Sequence, residues 1–532
     1  MTTLVTGGRI IDGTGEKAYA ADLLLKDGRI AAIGSLSDTQ ADEVIDAAGQ
    51  CVAPGFIDAH SHNDWFLSRQ DLSKYFLPFI SQGITTQVTG NCGFSPFGFD
   101  AASPHLHLLG SGLFSMPEFA AGGDPSLCGF AQKHAMPPVN IVPLYGHMSG
   151  RISISGYENR HLTERELSHL DDLMEQALLD GAAGISLGLM YEPDRYAPYD
   201  ELKRAARIAA KHNKILSVHA RACSAVSTSY QPPVGGRAHN LRALDEMVGI
   251  ARETGVKVQF SHLIFVGEKS WQTADEALAI IQKVNDEGLS FLYDSYSMAC
   301  GASVITVILP AWYLTLTPEK RRAPLARARI ALEIGVTKRL LGFDFSDIVL
   351  TWIKEGYELL CGKSVHEIAK QWRVSDLSAY LKLVELSEGR GRVLMHKYLT
   401  EEILQRLMDD EKCLYMTDAW VEETGLQNPA CYASFPEFLR RGNARGTLEK
   451  TVRQMTGATA DRYQLQERGY IKEGYHADIT VFNPLNVRAS DTLQSAPHGI
   501  SEVLIAGTRV LKNGKLARTG LGRMLLQKPQ IV

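Results

Sequence analysis

Residues 60–62 read His-Ser-His, and the apolar run Phe56-Ile57-Asp58-Ala59 leads into them. Side chains on a strand alternate between faces, so His60 and His62 point the same way. Four further runs end on a residue that can do chemistry. Ile84 to Gly90 ends in Asn91-Cys92-Gly93, and Leu216-Ser217-Val218 ends in His219. Val258-Gln259-Phe260-Ser261 ends in His262, and Cys413 to Thr417 ends in Asp418. Singly, none is diagnostic. A His-x-His pair arises by chance in a chain with 16 histidines. A lone Cys92 reads as a packed thiol, and a lone His or Asp as a hydrogen-bonded structural group. Five strand ends that all carry imidazole, thiolate or carboxylate are a different matter. These are the ligand types Zn²⁺ prefers, and a bound zinc activates water for hydrolysis. The set points to a metal-dependent hydrolase.

Such residues must converge, and the elements between them say how. The runs Val139 to Leu144, Gly184 to Leu189, Ile215 to Val218 and Val256 to Phe260 are short and apolar, as in buried parallel strands. Between them lie segments with helical spacing of apolar residues, such as Glu164 to Leu179 and Asn240 to Thr254. Repeated β-then-α units over roughly 400 residues predict an α/β fold, a (β/α)₈ TIM-like barrel with its reactive groups at the C-terminal strand ends. Residues 1–55 and 466–532 are instead strand-rich with tight turns, Lys26-Asp27-Gly28 among them. They predict one small β-sandwich domain made by both termini. The hydrolase barrel then occupies 56–465. A segment of about 314–410 reads as mostly helical, an insertion near the seventh strand placed to cover the active site.

The 532 residues are 45% hydrophobic and 22% charged, with a formal net charge of −5. Such a balance gives no electrostatic ground for a nucleic-acid or membrane partner. The N-terminus lacks the pattern of a signal peptide, and Val304 to Leu314 is too short to span a bilayer. Eight cysteines without a CxxC pair argue for a reducing compartment, hence a cytoplasmic location. The expected partner is a small-molecule amide substrate, and a homo-oligomer is left open.

The segments GFIDAHSH, VTGNCG, SVHAR, FSHL and MTDAW resemble the amidohydrolase superfamily. They are most similar to its N-acyl-D-amino-acid deacylase (D-aminoacylase) branch. The resemblance includes VAPGFID and the C-terminal GYIKEGYHADITVFNP, and so runs through nearly the whole chain. It implies a tight Zn²⁺ held by Cys92, His219 and His262. It implies a second site, weaker or absent, at His60 and His62, with Cys92 able to bridge. Asp418 would be the general base. The same resemblance places Tyr191 of GLMYEP and His147 of YGHMSGR near the substrate.

The chain also departs from the pattern. Where the family holds the substrate carboxylate with a lysine after the strand-six histidine, this sequence has Ile264. Where the family has the arginine of His-Pro-Arg, it has Asn428-Pro429-Ala430. The family's Tyr-Pro-Tyr is Tyr296-Ser297-Met298. Neither Ile264 nor Ala430 compensates the desolvation of a carboxylate. Two expectations remain: a neutral, cyclic or esterified amide substrate, or a clamp from another base such as Arg221 or Lys269. Arg221 reads equally well as a structural ion pair. A cyclic amidase or deaminase is the alternative on the same barrel, although strand four lacks the lysine of hydantoin-type relatives. A non-catalytic scaffold is the alternative from another class.

Overall fold

The computed structural model describes residues 2–36, 38–110, 123–227, 229–230, 235–492 and 495–527. Eight strands form the barrel: β1 (Phe56–Asp58), β2 (Ile84–Thr89), β3 (Asn140–Pro143), β4 (Gly184–Gly188), β5 (Ile215–His219), β6 (Lys257–Phe260), β7 (Phe291–Ser295) and β8 (Cys413–Tyr415). Their pairings are parallel and follow chain order. At Leu144 β3 breaks, and the pair Tyr145–Gly146 continues it against β4. The ring closes where the Ala59 N–H donates to the Tyr415 carbonyl at 3.2 Å.

Local sequence explains the helices between strands. The helix Glu164–Leu179 starts with a reciprocal capping box of Thr163 and Glu166, which satisfies two orphan backbone donors. The helix His239–Thr254 ends at Gly255, whose φ of 69° suits a left-handed cap. Strands β2 to β5 are buried along their whole length. The barrel is therefore a packed core, and only the strand ends are free to carry chemistry.

The two chain ends meet in a strand-rich region. Cys51–Pro54 pairs antiparallel with Ile479–Phe482, placing Val52 opposite Val481. The hairpin at Lys26-Asp27-Gly28 joins Asp22–Lys26 to Arg29–Gly34, with φ of 50° at Asp27 and 79° at Gly28. Both central residues are left-handed, as a two-residue hairpin turn requires.

The insertion between β7 and β8 differs from its expected character. It is rich in helices, including Pro324–Leu341 and Asp376–Leu386. It also holds a three-stranded antiparallel sheet of Gly301–Val304, Ile348–Trp352 and Arg392–Met395. These strands are four or five residues long and lie between helices, so their period-two signal is weak in sequence. The insertion docks on the strand-six end of the barrel, where the Phe265 N–H donates to the Tyr398 carbonyl at 3.0 Å. Among the described residues no helix is long and apolar enough to cross a membrane.

Candidate metal centre

Six side chains meet at the C-terminal mouth of the barrel. Cys92 Sγ lies 3.3 Å from His60 Nε2, 3.4 Å from His219 Nδ1 and 3.8 Å from His262 Nε2. Asp418 Oδ1 lies 3.2 Å from His62 Nε2 and 3.4 Å from His60 Nε2. Donor atoms of His60, His62, Cys92 and Asp418 fall within 4.8 Å of one another, as do those of Cys92, His219 and His262. Cys92 belongs to both groups.

This donor set fits a divalent metal. Zinc bonds of 2.0–2.3 Å in a tetrahedron separate the ligand atoms by about 3.5 Å, and the distances around Cys92 straddle that figure. Burial pushes the Cys92 thiol up to about 11, so the naked site favours a protonated sulfur, and a cation would draw the proton off. Burial holds His219 well below the ordinary imidazole value, and His262 and His62 lower too, which keeps them neutral as ligands must be. Burial opposes charge on His60 as well, but Cys92 and Asp418 outweigh it and raise its affinity for a proton. Burial likewise works against an ionised Asp418. The imidazoles of His60, His62 and His262 win and hold its carboxyl well below the usual range. Asp418 is therefore a carboxylate with one oxygen facing the ligands.

The backbone aims these groups at a cost. Cys92, His262 and Asp418 have φ of 53°, 33° and 45°, in the left-handed region that non-glycine residues avoid. Such strain persists only where the surroundings enforce it. For Cys92 the surroundings include Gly188, where an added Cβ would lie 2.1 Å from the Cys92 carbonyl oxygen. For His262 they include Asp294 on β7. Its Oδ1 accepts the His262 N–H at 2.6 Å, while Oδ2 accepts from Gln259 Nε2 at 2.9 Å.

Other expected site residues occupy mixed positions. Tyr191 stacks obliquely on His219, ring centres 4.6 Å apart, and so stands beside the ligands. Ile264 is 8% exposed and Ala430 4%, and Ala430 opens the helix Ala430–Ala444. His147 is paired with carboxylates. It is fully buried, with Nδ1 2.8 Å from Asp194 Oδ1 and Nε2 3.6 Å from Glu201 Oε1. Asp194 Oδ2 in turn accepts the Gly188 N–H at 3.0 Å, so His147 props the floor beneath Cys92. Arg221 is also committed. Its guanidinium donates to both Glu246 oxygens at 3.2 Å and to the carbonyls of Arg195 and Ala197 at 2.8 and 3.1 Å. These contacts are those of the structural ion pair, one of the two readings that the sequence leaves open for Arg221. Lys269 lies exposed in the short helix Glu268–Trp271.

Three further residues join the site, Asp294 and Tyr398 without having been singled out and Tyr296 noted only as part of the altered Tyr-Pro-Tyr segment. Asp294 supports His262, and the Tyr296 hydroxyl donates to Asp418 Oδ2. Tyr398, from the insertion, packs on Tyr296 with ring centres 6.3 Å apart. A carboxylate inside the apolar strand Phe291–Ser295 is the one sequence signal that could have flagged Asp294.

Comparison with known proteins agrees with this geometry. The profile described as Amidohydrolase family matches residues 43–153. D-aminoacylase of Alcaligenes xylosoxydans xylosoxydans is 30% identical, covering 98% of this chain and 97% of the relative. N-acyl-D-aspartate deacylase of the same organism is 30% identical, covering 98% and 94%. Among solved structures, N-acyl-D-glutamate deacylase from Bordetella bronchiseptica, complexed with zinc and a phosphonate inhibitor, superposes with a TM-score of 0.79. It is 27% identical and covers 98% of this chain and 99% of that one. A D-aminoacylase studied for its binuclear metal centre gives a TM-score of 0.80 at 27% identity, covering 99% of each chain. The chain belongs to the N-acyl-D-amino-acid deacylase family of the amidohydrolases, enzymes that use a divalent metal and act on carbon–nitrogen bonds other than peptide bonds.

Proposed function

We propose that this protein deacylates an N-acyl-D-amino acid derivative whose carboxyl group is masked, as an amide or ester, rather than free. The observation that carries this reading is the pairing of a full ligand set with uncharged neighbours. Cys92, His60, His62, His219, His262 and Asp418 converge, while Ile264 and Ala430, at the positions where the sequence resemblance implies cations, are buried and uncharged. Arg221, the substitute clamp, has its donors engaged. A free carboxylate in such surroundings would lose its hydration without recovering it.

Zinc bound by Cys92, His219 and His262, with His60 and His62 beside it, would activate a water and polarise the scissile carbonyl. Asp418 takes the water's proton on Oδ1 and delivers it to the departing nitrogen. Tyr296 holds Oδ2 through its hydroxyl, so the carboxylate cannot rotate away from the ligands. Tyr191 walls the site over His219 and positions the acyl group. Tyr398 packs against Tyr296 and helps exclude water.

The test is amine release by zinc-loaded protein from N-acetyl-D- and N-acetyl-L-amino acids and from their amides and methyl esters. Release confined to masked D compounds is the expected result. Faster release from free D acids would sink the masked-carboxyl reading and leave the deacylase reading standing.

A further inference from the structure

A small pocket with both apolar and charged walls lies beside the metal centre, between the loop that follows β8 and the inserted sheet. Its walls include Ala302, Thr351, Arg392, Trp420, Glu422 and Asn428. Trp420 connects the two places. Its ring meets His62 edge-on, centres 5.7 Å apart, and its indole N–H donates to Glu422 Oε1 at 3.0 Å. The pocket is thus one indole away from a metal ligand. Its loop is pinned to the insertion where the Leu426 N–H donates to the Thr351 carbonyl at 2.8 Å.

Arg392, Glu422 and Asn428 give its walls their charged and amide groups. Arg392 is 3% exposed; its Nη1 donates to the Arg390 carbonyl at 2.8 Å, and its Nε lies 3.5 Å from Glu422 Oε1. Burial pushes the Glu422 carboxyl up and the Arg392 guanidinium down, so each ion relies on the other. Asn428 is 9% exposed, and its Oδ1 accepts the Ala430 N–H at 3.0 Å. That bond fixes which end of the amide is which. The Nδ2 end is buried with no hydrogen-bond partner among the described residues. A buried donor left so is costly, and a ligand atom is one way to satisfy it.

The chemistry of the pocket selects among ligands. One guanidinium and one carboxylate cancel. A ligand carboxylate would meet Glu422 with like charge, and an ammonium would meet Arg392. A primary carboxamide carries one acceptor oxygen and two N–H donors, and so complements both sides.

We propose that this pocket is a substrate subsite for a primary carboxamide, whose oxygen accepts from Asn428 and Arg392 and whose nitrogen donates to Glu422. The inference rests on the reading that this protein hydrolyses an N-acyl compound without a free carboxylate at the Ile264 and Ala430 positions. The carboxamide comes either from a side chain or from an amidated α-carboxyl; the recognising chemistry is the same.

The experiment uses the zinc-loaded full chain carrying Asp418→Asn, so that ligands bind without being consumed. Affinity is measured for two pairs: N-acetyl-D-glutamine against N-acetyl-D-glutamate, and N-acetyl-D-methioninamide against N-acetyl-D-methionine. The carboxamide of one pair should bind at least tenfold tighter, and the responding pair identifies the source of the amide. Adding Glu422→Gln should bring that ratio to about one or invert it, and Asn428→Ala should lower it several-fold. Each ratio is taken within one protein sample, so a partly folded variant cannot imitate the result. A ratio unchanged by both substitutions, or a carboxylate preferred in both pairs, overturns the subsite. Amine release by the parent protein is read separately. Selective binding without release would sink the deacylase reading alone, and release without selectivity would sink the subsite alone.

Discussion

Asp294 Oδ1 accepts the backbone N–H of His262 at 2.6 Å. The same oxygen lies 3.6 Å from His60 Nδ1. One buried carboxylate on β7 therefore touches residues of both ligand groups. Outer partners of this kind orient the ligands and are worth about 10–100-fold in metal affinity. Asp294→Ala should weaken zinc binding by that factor, with a smaller loss for Asp294→Asn, which keeps one acceptor oxygen. Competition with a chromophoric chelator measures it. Unchanged zinc affinity in Asp294→Ala would remove the positioning role.

Asp418 and Cys92 should separate cleanly in a metal-and-rate assay. Asp418→Asn removes the proton acceptor but leaves the Cys92, His219 and His262 group intact. Turnover should fall by about 10²–10⁴-fold, the usual worth of a positioned general base, with zinc retained. Cys92→Ala removes the atom common to both groups, and zinc content by atomic emission should drop with activity. A Cys92→Ala protein that keeps its full zinc would exclude the shared-ligand arrangement.

Arg221 offers a test of structure against recognition. Its guanidinium is 8% exposed as a residue and closes a network with Glu246 and two carbonyls. Arg221→Met should leave the partly buried Glu246 without its cation, with the Tyr230 hydroxyl still donating to it, a loss of up to about 3 kcal/mol in stability. Denaturant unfolding reads this loss. KM for the best substrate, corrected for folded fraction, should stay within about twofold. A large KM increase with normal stability would instead make Arg221 a substrate clamp.

These outcomes bear on what was legible from sequence. The cluster of His60, His62, Cys92, His219, His262 and Asp418 was, because buried parallel strands are short and apolar, and a His, Cys or Asp at such an end stands out. The hairpin at Asp27-Gly28 was, because its two left-handed residues are a local demand. Asp294 was not, since its value depends on the pairing of β6 with β7, which sets it beside His262. The surroundings of His147 and Arg221 were not legible for a related reason. Their types suggest function, but their partners, Asp194 at position +47 and Glu246 at position +25, lie on other elements. The strands of the insertion were missed because Ile348–Trp352 and Arg392–Met395 pair across residues 353–391, a stretch of helix and loop.

Lys214, just before β5, carries the last prediction, one of pH dependence. It is 3% exposed, and burial, followed by the nearby Lys257 charge, pushes its ammonium down to about 8. At pH 7 the lysine is charged in both folded and unfolded chains, so the full cost of burying that charge is present. As pH rises through 8 the folded protein releases its proton first, while the unfolded chain holds its own until about 10.4. The unfolded state then binds more protons, and stability rises across that window. Lys214→Met removes the ammonium and keeps the stem. The variant should be more stable than the parent at pH 7 by up to about 3 kcal/mol, since a fall from about 10.4 to about 8 is worth about 1.4 kcal/mol per pKa unit. The gap should close between pH 8 and 10. Thermal melts of the zinc-loaded proteins at pH 7, 8, 9 and 10 give the comparison. A variant equally destabilised at every pH would mean that the contact of Lys214 Nζ with Gln527 Oε1 outweighs the buried charge.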